Sequence, residues 1–155
     1  MAKEKTPQTL QHSRYVSTCI LGTGTYGLVL KCNDLQTGQP VAVKVSHKES
    51  AYRRSAINEG NILKTLQACP HVIKLEEMFE HEGRIHIAVE LLHQNLYEHM
   101  RVRKFAITPL DEVRAIAFSI LTAIGETHAA GFMHCDVKPE NVMMRTPTNP
   151  TNRNP

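Results

Sequence analysis

No stretch of this sequence approaches the roughly twenty consecutive apolar residues that cross a bilayer. The longest apolar run, around Ala115–Ile124, is interrupted by Ser119 and Thr122. The start of the chain, Met1 to Arg14, is polar and lacks the apolar core of a signal peptide. The four cysteines, Cys19, Cys32, Cys69 and Cys135, form no C-x-x-C pair, and their spacing fits no zinc template. Free thiols in a reducing compartment are the expectation. Nine histidines are scattered without an H-E-x-x-H. A net charge of +3 is too mild for a dedicated nucleic-acid binder. The short basic run Arg101-Val102-Arg103-Lys104 reads as a solvated helix end. These absences together predict a soluble intracellular protein with no membrane or direct nucleic-acid contact.

What is present is globular. The chain has 155 residues, 41% hydrophobic and 21% charged, which suits one ordinary domain. Residues 1–14 read as a flexible tail. From Tyr15 to about Val45 the pattern is strand-like, with turns at Gly22–Gly27 and Asn33–Pro40. Residues 50–67 read as a helix, because Tyr52, Ala56, Glu59, Leu63 and Leu66 recur three or four apart. Two more strands follow, Val72–Phe79 and Arg84–Leu91, turning at His81-Glu82-Gly83. A second helix begins near Asn95. A third starts at Thr108, predicted as its N-cap, with Pro109 at the first helical position and Asp111 in the first turn. It should end before Gly131. Residues 146–155, built of Thr, Asn, Pro and Arg, read as disordered. Strands, one helix, strands and then helices define an α+β class.

Three groups of residues carry chemistry. Gly22-Thr23-Gly24-Thr25-Tyr26-Gly27-Leu28-Val29 supplies backbone N–H groups that a phosphate chain can approach, because glycine offers no side chain to block it. It lies between two strands, whereas a dinucleotide fold places such a motif between a strand and a helix. In Val41-Ala42-Val43-Lys44-Val45, alternation puts the valines on one face toward a core. Ala42 and Lys44 share the other face, a small residue beside a cation. Glu59 falls on the apolar stripe of the first helix, where a carboxylate is costly unless paired, and Lys44 is its nearest sensible partner. On pattern alone, a surface lysine on an edge strand and a glutamate turned to solvent stay open.

The most specific group is His134-Cys135-Asp136-Val137-Lys138-Pro139-Glu140-Asn141. Eight residues bring together a base, a cation and a metal-binding amide. Asp136 can accept a hydroxyl proton, Lys138 can neutralise charge on a transferred phosphoryl group, and Asn141 can ligate Mg2+.

Taken together these residues resemble the protein kinase signature set over roughly residues 15–145. The resemblance implies an N-terminal antiparallel five-stranded sheet with one helix, residues 15–92 including the hinge. It also implies an incomplete helical C-lobe with the catalytic loop, residues 93–145. It makes Lys44 the ATP-anchoring lysine and Glu59 its helix partner. Val89 resembles the gatekeeper, and Glu90 and Leu92 the hinge residues that meet adenine. Leu21, Val29 and Ala42 would cover the adenine ring, and Met143 would lie beneath it. The implied ligands are ATP and Mg2+. Lys138-Pro139-Glu140-Asn141 looks like the serine/threonine version of the loop, so the implied partners are protein substrates. His134-Cys135-Asp136 and the Glu90-to-Glu98 segment are similar to the dual-specificity tyrosine-regulated and homeodomain-interacting protein kinases, the latter favoured. That group acts on regulators of transcription, often in the nucleus.

Two departures matter. Cys135 stands where many kinases have an arginine that binds an activation-loop phosphate, so control by that route is not expected. No aspartate follows Asn141. The Asp-Phe-Gly metal site is therefore absent, and the chain reads as truncated. Two readings follow: the ATP-binding portion of an active serine/threonine kinase, or a short product that binds nucleotide or partners without catalysis.

Overall fold

β-Branched residues at alternating positions build the first half of the chain into a sheet. A computed structural model describes residues 14–145 and the backbone of Thr9–Leu10. The rest of the predicted tail 1–14, and the predicted tail 146–155, lie outside the described residues. The chain divides into two units, Met1–Leu91 and Leu92–Pro155.

The first unit is an antiparallel sheet. Its strands are β1 (Thr9–Leu10), β2 (Tyr15–Gly24), β3 (Gly27–Asp34), β4 (Pro40–Ser46), β5 (Leu75–His81) and β6 (Arg84–Glu90), ordered β1-β2-β3-β4-β6-β5. The five predicted strands are joined by the two-residue edge pairing of β1 with β2, inside the segment read as tail. β5 begins at Leu75, three residues later than Val72 predicted. Val72 is held in a turn by its N–H donating to Cys69 O. Strand propensity at Val72 and Ile73 gives way to this turn chemistry.

Registration decides what each face buries. Val43 pairs with Leu30 and Ala88, and Val45 with Leu28 and His86. These side chains join Tyr15, Cys32, Val41 and Phe79 in one core, with Val43, Cys32 and Ala88 fully buried. Tyr15, Phe79 and His86 stack in series, with centroids 5.6 and 4.8 Å apart. Burial pushes the His86 pKa down, which keeps that ring neutral inside the stack. On the opposite face, α1 (Ser50–Thr65) lays Ala56 against Ile85 and Ile87, with Leu63, Leu75, Met78 and Val89 around them. Gly60 permits this approach: a Cβ there would fall 2.2 Å from Met78 Sδ.

One end of the sheet is closed by charge. Asp34 is 2% exposed. Arg14 grips it with two bonds, Nε to Oδ1 at 2.9 Å and Nη2 to Oδ2 at 2.8 Å, and its Nη1 reaches Glu77 at 2.7 Å. Gln36 N–H and the Thr37 hydroxyl also donate to Asp34, and the Tyr15 hydroxyl donates to Glu77. A buried carboxylate is tolerable only with its acceptor sites filled in this way. None of the four cysteines forms a disulfide; Cys32 and Cys69 are buried, Cys19 and Cys135 exposed. Burial pushes the Cys32 thiol up to about 11.

The second unit is helical. Asn95 caps α2 (Leu96–Val102), its side chain accepting from Glu98 N–H at 2.7 Å. α3 runs Leu110–Ala129, one position later than predicted. Pro109 sits at the N-cap with ψ 141°, and its carbonyl accepts the first helical bond from Val113. Glu112 ties the two helices together. Arg103 donates to both its oxygens, at 3.0 and 2.8 Å, and His99 Nε2 lies 2.9 Å away. A two-stranded ladder pairs β7 (Gln94–Asn95) with β8 (Met143–Met144). Along α3 only Thr127 is buried, while Leu110, Val113, Phe118 and Leu121 are exposed. Among the described residues no helix is long and apolar enough to cross a membrane.

The grip on Asp34 has a pH signature. Arg14 holds the Asp34 carboxyl well below the usual carboxylate range, so its contribution is present above the unfolded pKa and fades as pH falls through the folded one. Asp34→Asn should cost about 2 kcal/mol at neutral pH. Denaturant unfolding of both proteins across pH should show the gap narrowing below about pH 4.

Candidate active site

β4 presents two unlike faces. Val41, Val43 and Val45 are buried, while Ala42 and Lys44 are half-exposed on the face shared with α1. Lys44 is registered with Val29 on one side and Ile87 on the other, and Ala42 with Lys31 and Val89. Cross-strand partners share a face, so Val29, Ala42, Lys44 and Val89 line one surface. Lys44 Nζ donates to both oxygens of Glu59, at 2.9 and 2.6 Å. Glu59 itself is not driven into the core. Its side chain is 39% exposed, because Ala56 and Gly60 take the buried positions of α1.

The glycines of the motif have different duties. Gly27 has φ +138°, and a Cβ there would collide with Val45 O at 1.9 Å, so the pairing of β3 with β4 demands glycine. A Cβ on Gly22 or Gly24 would meet nothing within 4 Å. Packing does not require glycine at these two positions. Register shifts between Ser17 and Cys19 and between Ile20 and Gly22 mark bulges in β2. Leu21, half-exposed, lies in the second of these.

Neither the glycine motif nor the helical stripe assigns a task to the side chain of Tyr26 or Tyr52. The Tyr26 ring centroid stands 5.6 Å from Lys44 Nζ and meets Tyr52 edge-on at 6.3 Å. With Ser46, Ser55, Ala56 and Glu59 they line a recess beside the ion pair. An aromatic at a turn tip reads in sequence as exposed, and no spacing rule ties it to a helix.

Glu90 closes β6. Its N–H donates to Lys74 O, and its Oε1 accepts from Lys74 N–H. Leu92 opens the second unit. There, the loop after α3 gathers its polar groups tightly. Lys138 Nζ is 2.9 Å from Asp136 Oδ2. Asn141 Nδ2 donates to the same Oδ2 and to Asp136 O, both at 2.9 Å. Asp136 N–H donates to His134 Nδ1. Cys135 takes φ +60°, which turns the chain between His134 and Asp136. A 3-10 turn, Pro139–Asn141, carries Asn141 back toward Asp136. The hydrogen bond from Lys138, then that from Asn141, holds the Asp136 carboxyl below its usual range, so it is an anion at neutral pH. Met143, in β8, pairs with Asn95 and is partly exposed.

The first unit thus carries a paired lysine on a half-open sheet face, and the second a loop that gathers Asp136, Lys138 and Asn141. Residues 15–150 match the family described as protein kinase domain, and this chain belongs to that family. It is 35% identical over 144 residues to the dual specificity protein kinase YAK1 homolog of Arabidopsis thaliana, covering 89% of this chain and 15% of that protein. It is 32% identical to dual specificity protein kinase YAK1 of Saccharomyces cerevisiae, covering 90% of this chain and 18% of that one. Homeodomain-interacting protein kinase 1 of Caenorhabditis elegans is 35% identical over 82% of this chain and 16% of its own length. The chain thus spans under a fifth of these three relatives.

The division of labour among the glycines can be measured by thermal or denaturant unfolding. Gly27→Ala should destabilise by about 2–3 kcal/mol. Gly22→Ala and Gly24→Ala should each stay within about 0.5 kcal/mol of the wild type.

Proposed function

We propose that this chain supplies the ATP-binding face and catalytic loop of a protein serine/threonine kinase, which transfers the ATP γ-phosphoryl group to protein hydroxyls. The observation that carries this is the Lys44–Glu59 pair on a half-open sheet face, beside two glycines that packing does not require. Glu59 fixes the ammonium so that Lys44 can donate to α- and β-phosphate oxygens, while Gly22 and Gly24 offer backbone N–H groups. Leu21, Val29 and Ala42 would cover an adenine ring, and Glu90 would meet its edge through its backbone.

Asp136 orients the attacking hydroxyl and accepts its proton as the new bond forms. Lys138 neutralises charge on the phosphoryl group in transit. Hard oxygen donors suit Mg2+. With Nδ2 committed to Asp136, the Asn141 amide offers its Oδ1, and the ion would supply positive charge beside the phosphates. Lys138-Pro139-Glu140-Asn141 favours serine and threonine as acceptors. The names of the homeodomain-interacting relatives favour transcription regulators as substrates and a nuclear location.

The test is titration of the chain with ATP and with adenosine, with and without Mg2+. Lys44→Met should weaken ATP about ten-fold or more, the worth of a charged hydrogen bond, and leave adenosine unchanged. Equal ATP affinity in both proteins would sink the assignment.

A further inference from the structure

The turn that joins β2 to β3 has two residues, Thr25 and Tyr26, between the paired Gly24 and Gly27. On the β3 side the turn is seated at Gly27 against Val45, but on the β2 side Gly22 and Gly24 have open space around them, so little holds that arm down. Glycine also loses more conformational freedom on ordering than any other residue. A flap of this kind should bind phosphates weakly unless something limits its motion.

Tyr26 supplies the restraint. Its carbonyl accepts from His47 N–H, which roots the tip beside the end of β4. Its ring reaches the other way. It stands over the Lys44 ammonium at 5.6 Å, within range of a cation–π attraction, and its neighbour Tyr52 belongs to α1. The Tyr52 ring is in turn met edge-on by His47 at 5.1 Å. A strand end, a turn tip and a helix thus meet through three rings. The recess they line also contains Glu59, the partner of Lys44. Flap and helix are joined on the side of the lysine that faces α1.

We propose that Tyr26 is a positioning residue: its ring braces the glycine-rich turn against Tyr52 of α1, so that flap placement and the Lys44–Glu59 pair are set together. This rests on the nucleotide-binding reading above. The ring, and not the hydroxyl, does the bracing, since its contacts with Lys44 and Tyr52 are made through the aromatic face and edge.

The experiment uses the 155-residue chain and four variants, Tyr26→Ala, Tyr26→Phe, Tyr52→Ala and the double alanine. The first readout is amide hydrogen exchange at Gly22–Tyr26 without ligand. Tyr26→Ala and Tyr52→Ala should both speed it, and Tyr26→Phe should not. The second is affinity for ATP and for adenosine. Each single alanine should weaken ATP about three- to five-fold and leave adenosine unchanged, with the double variant no worse than either single. Unchanged exchange in Tyr52→Ala, additive losses in the double variant, or tighter ATP binding by Tyr26→Ala would each overturn the brace. Equal losses for ATP and adenosine would reduce Tyr26 to a folding role and overturn it too. A wild type that binds no ATP yet shows the coupled exchange pattern keeps the brace and refutes the nucleotide reading.

Discussion

A lysine and a glutamate fifteen positions apart, each roughly one-third exposed, join β4 to α1. Coulomb attraction at this exposure is modest, and the pair's stabilising effect is small. Its weight lies in geometry. Two oxygens hold one ammonium, so Lys44 cannot swing into solvent, and α1 cannot rotate without releasing it. That constraint needs the rest of the first unit. Val41, Val43 and Val45 anchor the strand from behind. Gly60 lets α1 lie close on Met78, and Gly27 lets β3 lie flat on β4. The apolar core thus fixes a polar contact that it does not include.

The loop after α3 solves a related problem by other means. Its polar groups are exposed, so there is no low-dielectric interior to strengthen them. Order comes instead from the chain's own path: a left-handed Cys135, a 3-10 turn at Pro139–Asn141, and side-chain bonds that converge on Asp136. Lys138 and Asn141 share Oδ2, which stabilises the anion and sets its direction. A carboxylate so held serves better as an aligning acceptor than as a strong base.

Much of the first unit was legible in the sequence because a strand's period of two is unambiguous. The alternation at Val41–Val45 predicted both faces of β4, and the structure has them. Helical stripes are less sharp. Tyr52, Ala56 and Glu59 share a face by spacing, yet Ala56 and Gly60 take the burial and Glu59 stays at the margin. Boundaries slipped where turn geometry overrode propensity, at Val72 before β5 and at Pro109 before α3. The Arg14–Asp34–Glu77 cluster was illegible. It joins residues up to sixty-three positions apart, and no local pattern carries such a pairing. Tyr26 escaped for the same reason, since its partner lies across a strand and on a helix. The Asp136, Lys138 and Asn141 cluster was readable because all three lie within one short loop.

Burial is distributed unevenly along the chain. Among the described residues the first unit holds every buried apolar side chain, while beyond Leu91 Thr127 alone is buried. Burial of this kind predicts that amides of the central strands β4 and β6 are released only by large-scale opening, whereas those of α2 and α3 open locally at lower free energy. Lys44, on β4, thus stands where opening is expected to be slow and cooperative, and the Asp136 loop where local breathing is expected.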